Sequence, residues 1–64
     1  MKIVLNGEPR EVRAPVLHDA LAELGFADTV ATAVNGSFVP APARGATRLA
    51  EGDRVEVLAP RQGG

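Results

Sequence analysis

The chain has 64 residues, 45% of them apolar, with a formal net charge of −1 and no cysteine. That length makes one domain, in which folding removes only about 60% of the surface the unfolded chain exposes. The composition excludes disulfides, thiol nucleophiles and iron–sulfur ligation, offers no basic block for nucleic acid, and leaves its single histidine, His18, without a second His or a Cys for a metal site.

Residues Lys2 to Leu5 are rich in aliphatic side chains and predict a first strand. Asn6-Gly7 follows, and Asn-Gly is the strongest short hairpin signal because both residues tolerate the positive φ of a type I′ turn. The return strand is predicted at about Pro9 to Ala14. Pro9 cannot donate to a ladder, so this strand belongs at a sheet edge or begins at Pro9. Ile3, Leu5 and Val12 are expected to face inward.

Leu17, Ala20, Leu21 and Leu24 fall at i, i+3, i+4 and i+7, which predicts a helix over Leu17 to Leu24. Asp19 in its first turn suits the helix dipole. Pro15 and Val16 offer no capping oxygen at its start. Gly25 is a natural residue just past its end, after which Phe26 can pack back on Leu21. His18 lies off the apolar stripe and reads as a solvent-facing residue.

Thr29 to Val34 predicts a third strand, Asn35-Gly36 a second tight turn, and Ser37 to Val39 the returning strand, ended by Pro40 and Pro42. Ala41 to Ala50 reads as a loop with one short helical turn near Ala46 to Arg48 and Leu49 as its hydrophobic anchor. Glu51-Gly52-Asp53 is a turn. Arg54-Val55-Glu56-Val57-Leu58 alternates cleanly, with Val55 and Val57 inward. The element order is β-β-α-β-β-β. No apolar run approaches the roughly 20 residues of a membrane span, and no signal peptide is visible. A soluble, cytoplasmic protein without a membrane or nucleic-acid partner is the expectation.

Pro60-Arg61-Gln62-Gly63-Gly64 reads differently from the rest. Two glycines carry no Cβ and present almost no width. Five extended residues reach roughly 16–18 Å past the last strand, enough to bring a carboxylate into a buried pocket of another protein. The division is therefore a domain at 1–59 and a tail at 60–64. No acid, base and nucleophile cluster for catalysis, so a carrier rather than an enzyme is expected.

Val34-Asn35-Gly36, Val39-Pro40, Leu49, Gly52-Asp53, Val55-Glu56-Val57 and the terminal Gln62-Gly63-Gly64, in this order and spacing, resemble the ThiS family, the small sulfur carriers of thiamine biosynthesis. Ile3 to Gly7 and the helix also fit that family. Its members often carry Thr or Ser near the helix start, where this chain has Val16. The resemblance implies an α+β, β-grasp (ubiquitin-like) fold: one mixed sheet, the first and last strands parallel at its centre, the helix on one face.

It also implies a chemistry. A ThiF-type adenylyltransferase, using ATP, adenylates the terminal glycine. Sulfur derived from a sulfurtransferase or cysteine desulfurase converts it to a thiocarboxylate, and a ThiG-type thiazole synthase receives that sulfur. The modified group would be Gly64, with Gly63, Gln62 and Arg61 as the recognised tail and no cofactor bound by the chain itself. Such domains dock through the sheet face away from the helix, for which Val4, Phe38 and Leu58 are the candidate residues. Three other readings stand beside this one. They are the related carrier for molybdopterin synthesis, a ubiquitin-like modifier or carrier for tRNA thiolation, and an S4-like RNA-binding module. The short Ala41-to-Asp53 segment favours the thiamine branch over the first, and the net charge opposes the last.

Overall fold

Asn6 and Gly7 have φ angles of 49° and 86°, and Asn35 and Gly36 have 51° and 85°, the paired positive values of type I′ turns. In a computed structural model describing residues 1–59, the first turn joins β1 (Lys2–Leu5) to β2 (Glu8–Glu11) and the second joins β3 (Ala31–Val34) to β4 (Ser37–Val39). β5 (Arg54–Leu58) lies between the two hairpins, parallel to β1 and antiparallel to β3. The strand order is β2-β1-β5-β3-β4. With one α-helix, α1 (Leu17–Glu23), this is the β-grasp arrangement expected.

Alternation in the strands and the stripe on α1 meet in one core. Ile3, Leu5, Val55 and Val57 from the sheet, Val12 from the segment after β2, and Leu17, Ala20 and Leu21 from the helix are all buried. Leu49 is buried with them, as its role of anchor required. Leu24 and Phe26 pack partly buried against this cluster.

The start of α1 is held by tertiary contacts instead of a side-chain cap. Val16 is extended and makes no capping hydrogen bond. The Leu17 N–H donates to the Thr47 carbonyl at 2.8 Å, Val16 bridges Arg48, and the Leu49 N–H donates to the Pro15 carbonyl at 2.9 Å. The end of α1 is a Schellman motif around Gly25 at φ 88°. The Phe26 N–H reaches the Leu21 carbonyl at 2.9 Å, and the Gly25 N–H reaches Ala22 at 3.1 Å. Leu24 caps the helix, which therefore closes one residue earlier than its apolar stripe suggests.

Beyond one-residue shifts at the end of α1 and the start of β2, three boundaries differ from the sequence reading, each for an identifiable reason. β2 ends at Glu11 rather than Ala14. The Val12 N–H still donates to the Met1 carbonyl, but the Arg13 and Ala14 N–H groups turn to the Glu23 carboxylate at 3.0 Å. β3 begins at Ala31 rather than Thr29, because the carbonyls of Asp28 and Val30 accept from Arg44. The helical turn is a 3₁₀ helix at Ala41–Ala46, ahead of the predicted Ala46 to Arg48. Pro42 sits in its first turn, where a fixed φ and a missing N–H are tolerated. Thr47 to Leu49 is instead drawn out to hold the start of α1.

Candidate functional site: the outer sheet face and the last strand

Because Val55 and Val57 point inward, Arg54, Glu56 and Leu58 stand on the opposite, outer face of β5. The register places Leu58 opposite Ala31, and Glu56 opposite Ala33, which is itself opposite Phe38 on β4. Leu58 and Phe38 therefore flank the two alanines of β3. They are the large hydrophobic side chains left in solvent, 69% and 70% exposed. Together with Asn6 and Glu56 they border a shallow, mainly apolar hollow of about 200 Å³.

Val4 shares this face but not this hollow. It pairs with Arg54 on one side and Pro9 on the other, and is half-buried. It lines a separate, more polar depression with Gly7, Gly36, Arg54 and Glu56. Glu56 borders both depressions, so a charged side chain divides Val4 from Phe38 and Leu58. The three candidate docking residues lie on one sheet face, in two patches. The proposed tail residues Arg61, Gln62, Gly63 and Gly64 lie outside the described residues.

Sequence reading treated Asn6 and Asn35 as turn formers only. Both also grip β5 by their side chains. The Asn6 Oδ1 accepts from the Val57 N–H at 2.9 Å, and its Nδ2 donates to the Val57 carbonyl at 3.1 Å. The Asn35 Oδ1 accepts from the Arg54 N–H at 2.9 Å, and its Nδ2 donates to Asp53 Oδ1 at 3.0 Å. Asp-Gly or Gly-Gly would make the same turns. Only a carboxamide supplies a donor and an acceptor side by side. That choice of residue, made in both hairpins, was the available signal.

Arg44 was also missed. It is 5% exposed, and its guanidinium reaches under the sheet. Its Nε donates to the Thr32 hydroxyl at 3.1 Å, Nη1 to the Asp28 carbonyl at 3.2 Å, and Nη2 to the Val30 carbonyl. His18 is exposed beside Asp19, 3.1 Å from its carboxylate, as expected of a solvent-facing helical residue. Among the described residues no group of three His, Asp or Glu side chains could hold a metal ion, and no helix is long and apolar enough to cross a membrane.

The sequence matches the ThiS family over residues 3–64. Among solved structures it is similar to the thiamine biosynthesis protein ThiS of Geobacter metallireducens. The crystal structure of that protein shares 30% identity and a TM-score of 0.84, with all of both chains covered. Its NMR solution structure gives a TM-score of 0.79, covering all of this chain and 88% of that one. Comparison with curated proteins finds no significant match. A family match running almost from end to end, and a solved relative covered along its whole length, agree with the sheet order and the sequence pattern: the chain belongs to the ThiS family.

Proposed function

We propose that this protein is a sulfur carrier of thiamine biosynthesis and that Gly64 is the group it carries sulfur on. The observation that carries the reading is the family match, which extends through Gln62-Gly63-Gly64 to residue 64. The name of the Geobacter relative, a thiamine biosynthesis protein, supports the thiamine branch over other sulfur transfers.

The chemistry follows from what a carboxylate lacks. Its negative charge repels nucleophiles, and oxide is a poor leaving group. Attack of the Gly64 carboxylate on the α-phosphorus of ATP releases pyrophosphate and gives an acyl adenylate, from which AMP can leave. The outer sulfur of a persulfide on the sulfur-donating protein then attacks the Gly64 carbonyl and displaces AMP, giving an acyl disulfide. A second thiol of a partner protein attacks the persulfide-bearing sulfur, so that the S–S bond breaks, a disulfide is left on the partner side and the thiocarboxylate is released. ATP is bound by a ThiF-type adenylyltransferase, sulfur comes by way of a sulfurtransferase or cysteine desulfurase, and a ThiG-type thiazole synthase accepts it. The chain supplies no catalyst of its own. Gly63 gives the terminus its narrow profile, and Gln62 and Arg61 are read by the partner along with it.

Docking of the adenylyltransferase uses the outer sheet face. Two large apolar side chains separated by two alanines give a shallow surface that a partner's side chain can enter. Phe38 and Leu58 form the apolar part of this contact, and Val4 and its polar neighbours form a flanking part.

Intact mass spectrometry of the chain from cells making thiamine tests the proposal. The expected result is a population whose C-terminal peptide has gained the mass of sulfur in place of one oxygen. A terminal peptide that stays unmodified under thiamine starvation overturns it.

A further inference from the structure

The parallel ladder between β1 and β5 stops early. Val4 pairs with Arg54 and Leu5 with Val55, and the Asn6 N–H donates to the Val55 carbonyl at 2.9 Å. In a parallel ladder the next bond would run from the Val57 N–H to the main-chain carbonyl of Asn6. That bond cannot form, because Asn6 has already turned to φ 49°. β5 nevertheless continues to Leu58, and β3 covers its other edge that far, through the Ala31–Leu58 pair. On the β1 side, the Asn6 carboxamide takes the place of the missing strand and pairs with both backbone groups of Val57.

We infer that Asn6 is a positioning residue for the C-terminal tail. Its side chain holds the last residues of β5 on the edge that β1 abandons, and so fixes the end of the strand from which the chain continues to its terminus. The inference rests on the proposed role of Gly64 and adds to it a residue 58 positions away in sequence. Val57 is the last β5 residue with side-chain support on that edge, one residue short of the end of the strand at Leu58. Without the carboxamide, the strand end is held by β3 alone, and Leu58 and Ala59 must then be ordered when a partner takes the terminus. Ordering one further backbone residue is worth a factor of about ten in affinity. The same side chain borders the hollow between Phe38 and Leu58, so the point of departure is set beside the docking surface.

Asn35 provides the matched control. It makes the same kind of turn and grips the same strand, but at Arg54, the end remote from the tail. Asn6→Gly and Asn35→Gly both keep residues suited to a positive φ, and each deletes one grip. The full chain is assayed with the adenylyltransferase of its own organism by ATP–pyrophosphate exchange. The expected result is that Asn6→Gly raises KM for the chain about tenfold with kcat little changed, while Asn35→Gly leaves KM near the parent value. Asn6→Asp, which retains the acceptor for the Val57 N–H but not the donor, falls between. In the free chain, NMR order parameters of Leu58 and Ala59 should drop in Asn6→Gly and not in Asn35→Gly. Equal KM increases in the two glycine variants, or unchanged order parameters in Asn6→Gly, overturn the inference. If the parent chain itself is not adenylated, the proposed function fails, and the order parameters still decide whether Asn6 fixes the strand end.

Discussion

The hydroxyl of Thr32 joins two parts of the interior: it donates to the Val39 carbonyl at 2.8 Å and accepts from Arg44 Nε at 3.1 Å. Through it the guanidinium of the 3₁₀ segment is tied to both strands of the second hairpin. The remaining contacts of Arg44, with the carbonyls of Asp28 and Val30, hold the chain as it enters β3. No buried side-chain nitrogen or oxygen among the described residues lacks a partner.

Removing either end of this link leaves buried polar groups unpaired. Arg44→Met should cost about 2–4 kcal/mol, since it removes the donor to the Asp28 and Val30 carbonyls and one of the two partners of the Thr32 hydroxyl. Thr32→Val should cost about 1–3 kcal/mol. Because the residues are in contact, the double variant should lose less than the sum of the two. Urea unfolding of the four chains measures the coupling. Strict additivity would show that the two groups act independently.

The Glu23 carboxylate accepts from the backbone of Arg13 and Ala14 and so turns the chain out of β2 toward α1. It is exposed, and water competes for it. Glu23→Ala should therefore cost about 1 kcal/mol, below the usual range for a charged acceptor because the carboxylate is in solvent. In a domain of this size that is a fall of about 4–8 °C in Tm. Calorimetry of the variant checks it.

Ile3 is fully buried at the centre of the core. Ile3→Ala should cost about 2–5 kcal/mol. A chain of this length has a total stability of only about 3–10 kcal/mol. A substantial unfolded fraction at 37 °C is the expected outcome, read by circular dichroism.

Leu58 and Phe38 stand mostly in solvent, so replacing them tests contact with a partner separately from folding. Leu58→Asp and Phe38→Asp should each alter stability by no more than about 0.5 kcal/mol. Each should nevertheless raise KM for the adenylyltransferase by tenfold or more, about 1.4 kcal/mol of lost contact. Val4→Thr, in the neighbouring depression, should have the smaller effect. ATP–pyrophosphate exchange together with thermal melts separates the two quantities. Unchanged exchange by both aspartate variants would remove the apolar hollow from the docking surface.

The terminus itself is tested by adding one alanine after Gly64. The extended chain should fold normally and lose all detectable thiocarboxylate. Thiazole formation at the parent rate would show that the carboxylate of Gly64 is not the working group.

Local chemistry made much of this fold legible. Asn6-Gly7 and Asn35-Gly36 turn where the sequence says, and both pairs take the required positive φ. The stripe of Leu17, Ala20 and Leu21 faces the core, and Gly25 with Phe26 closes the helix as predicted. What remained hidden was set by groups distant in sequence. Asn6 meets Val57 across 51 positions. Arg44, a residue type that is seldom buried, is accepted in the interior only because the Asp28 and Val30 carbonyls and the Thr32 hydroxyl converge on it. The end of β2 was misjudged for the same reason, since Glu23 competes for its backbone. At the site, the outward direction of Val4, Phe38 and Leu58 followed from alternation. Their division into two patches depends on Glu56, whose neighbours on the outer face come from strands that only the folded sheet brings together.

The placement of β5 between the hairpins also governs when the molecule can exist. Each hairpin can close as soon as its own residues are available, but neither touches the other in the ladder until Arg54 to Leu58 arrive. The middle of the sheet is thus the last part to be synthesised, and long-range pairing of this kind is slow to form. A nascent chain released before Leu58 has two loose ribbons and a helix with no shared floor. Such a truncated chain lacks the strand that both hairpins share, so the order of synthesis itself makes the folded sheet a mark of a chain completed at least through Leu58.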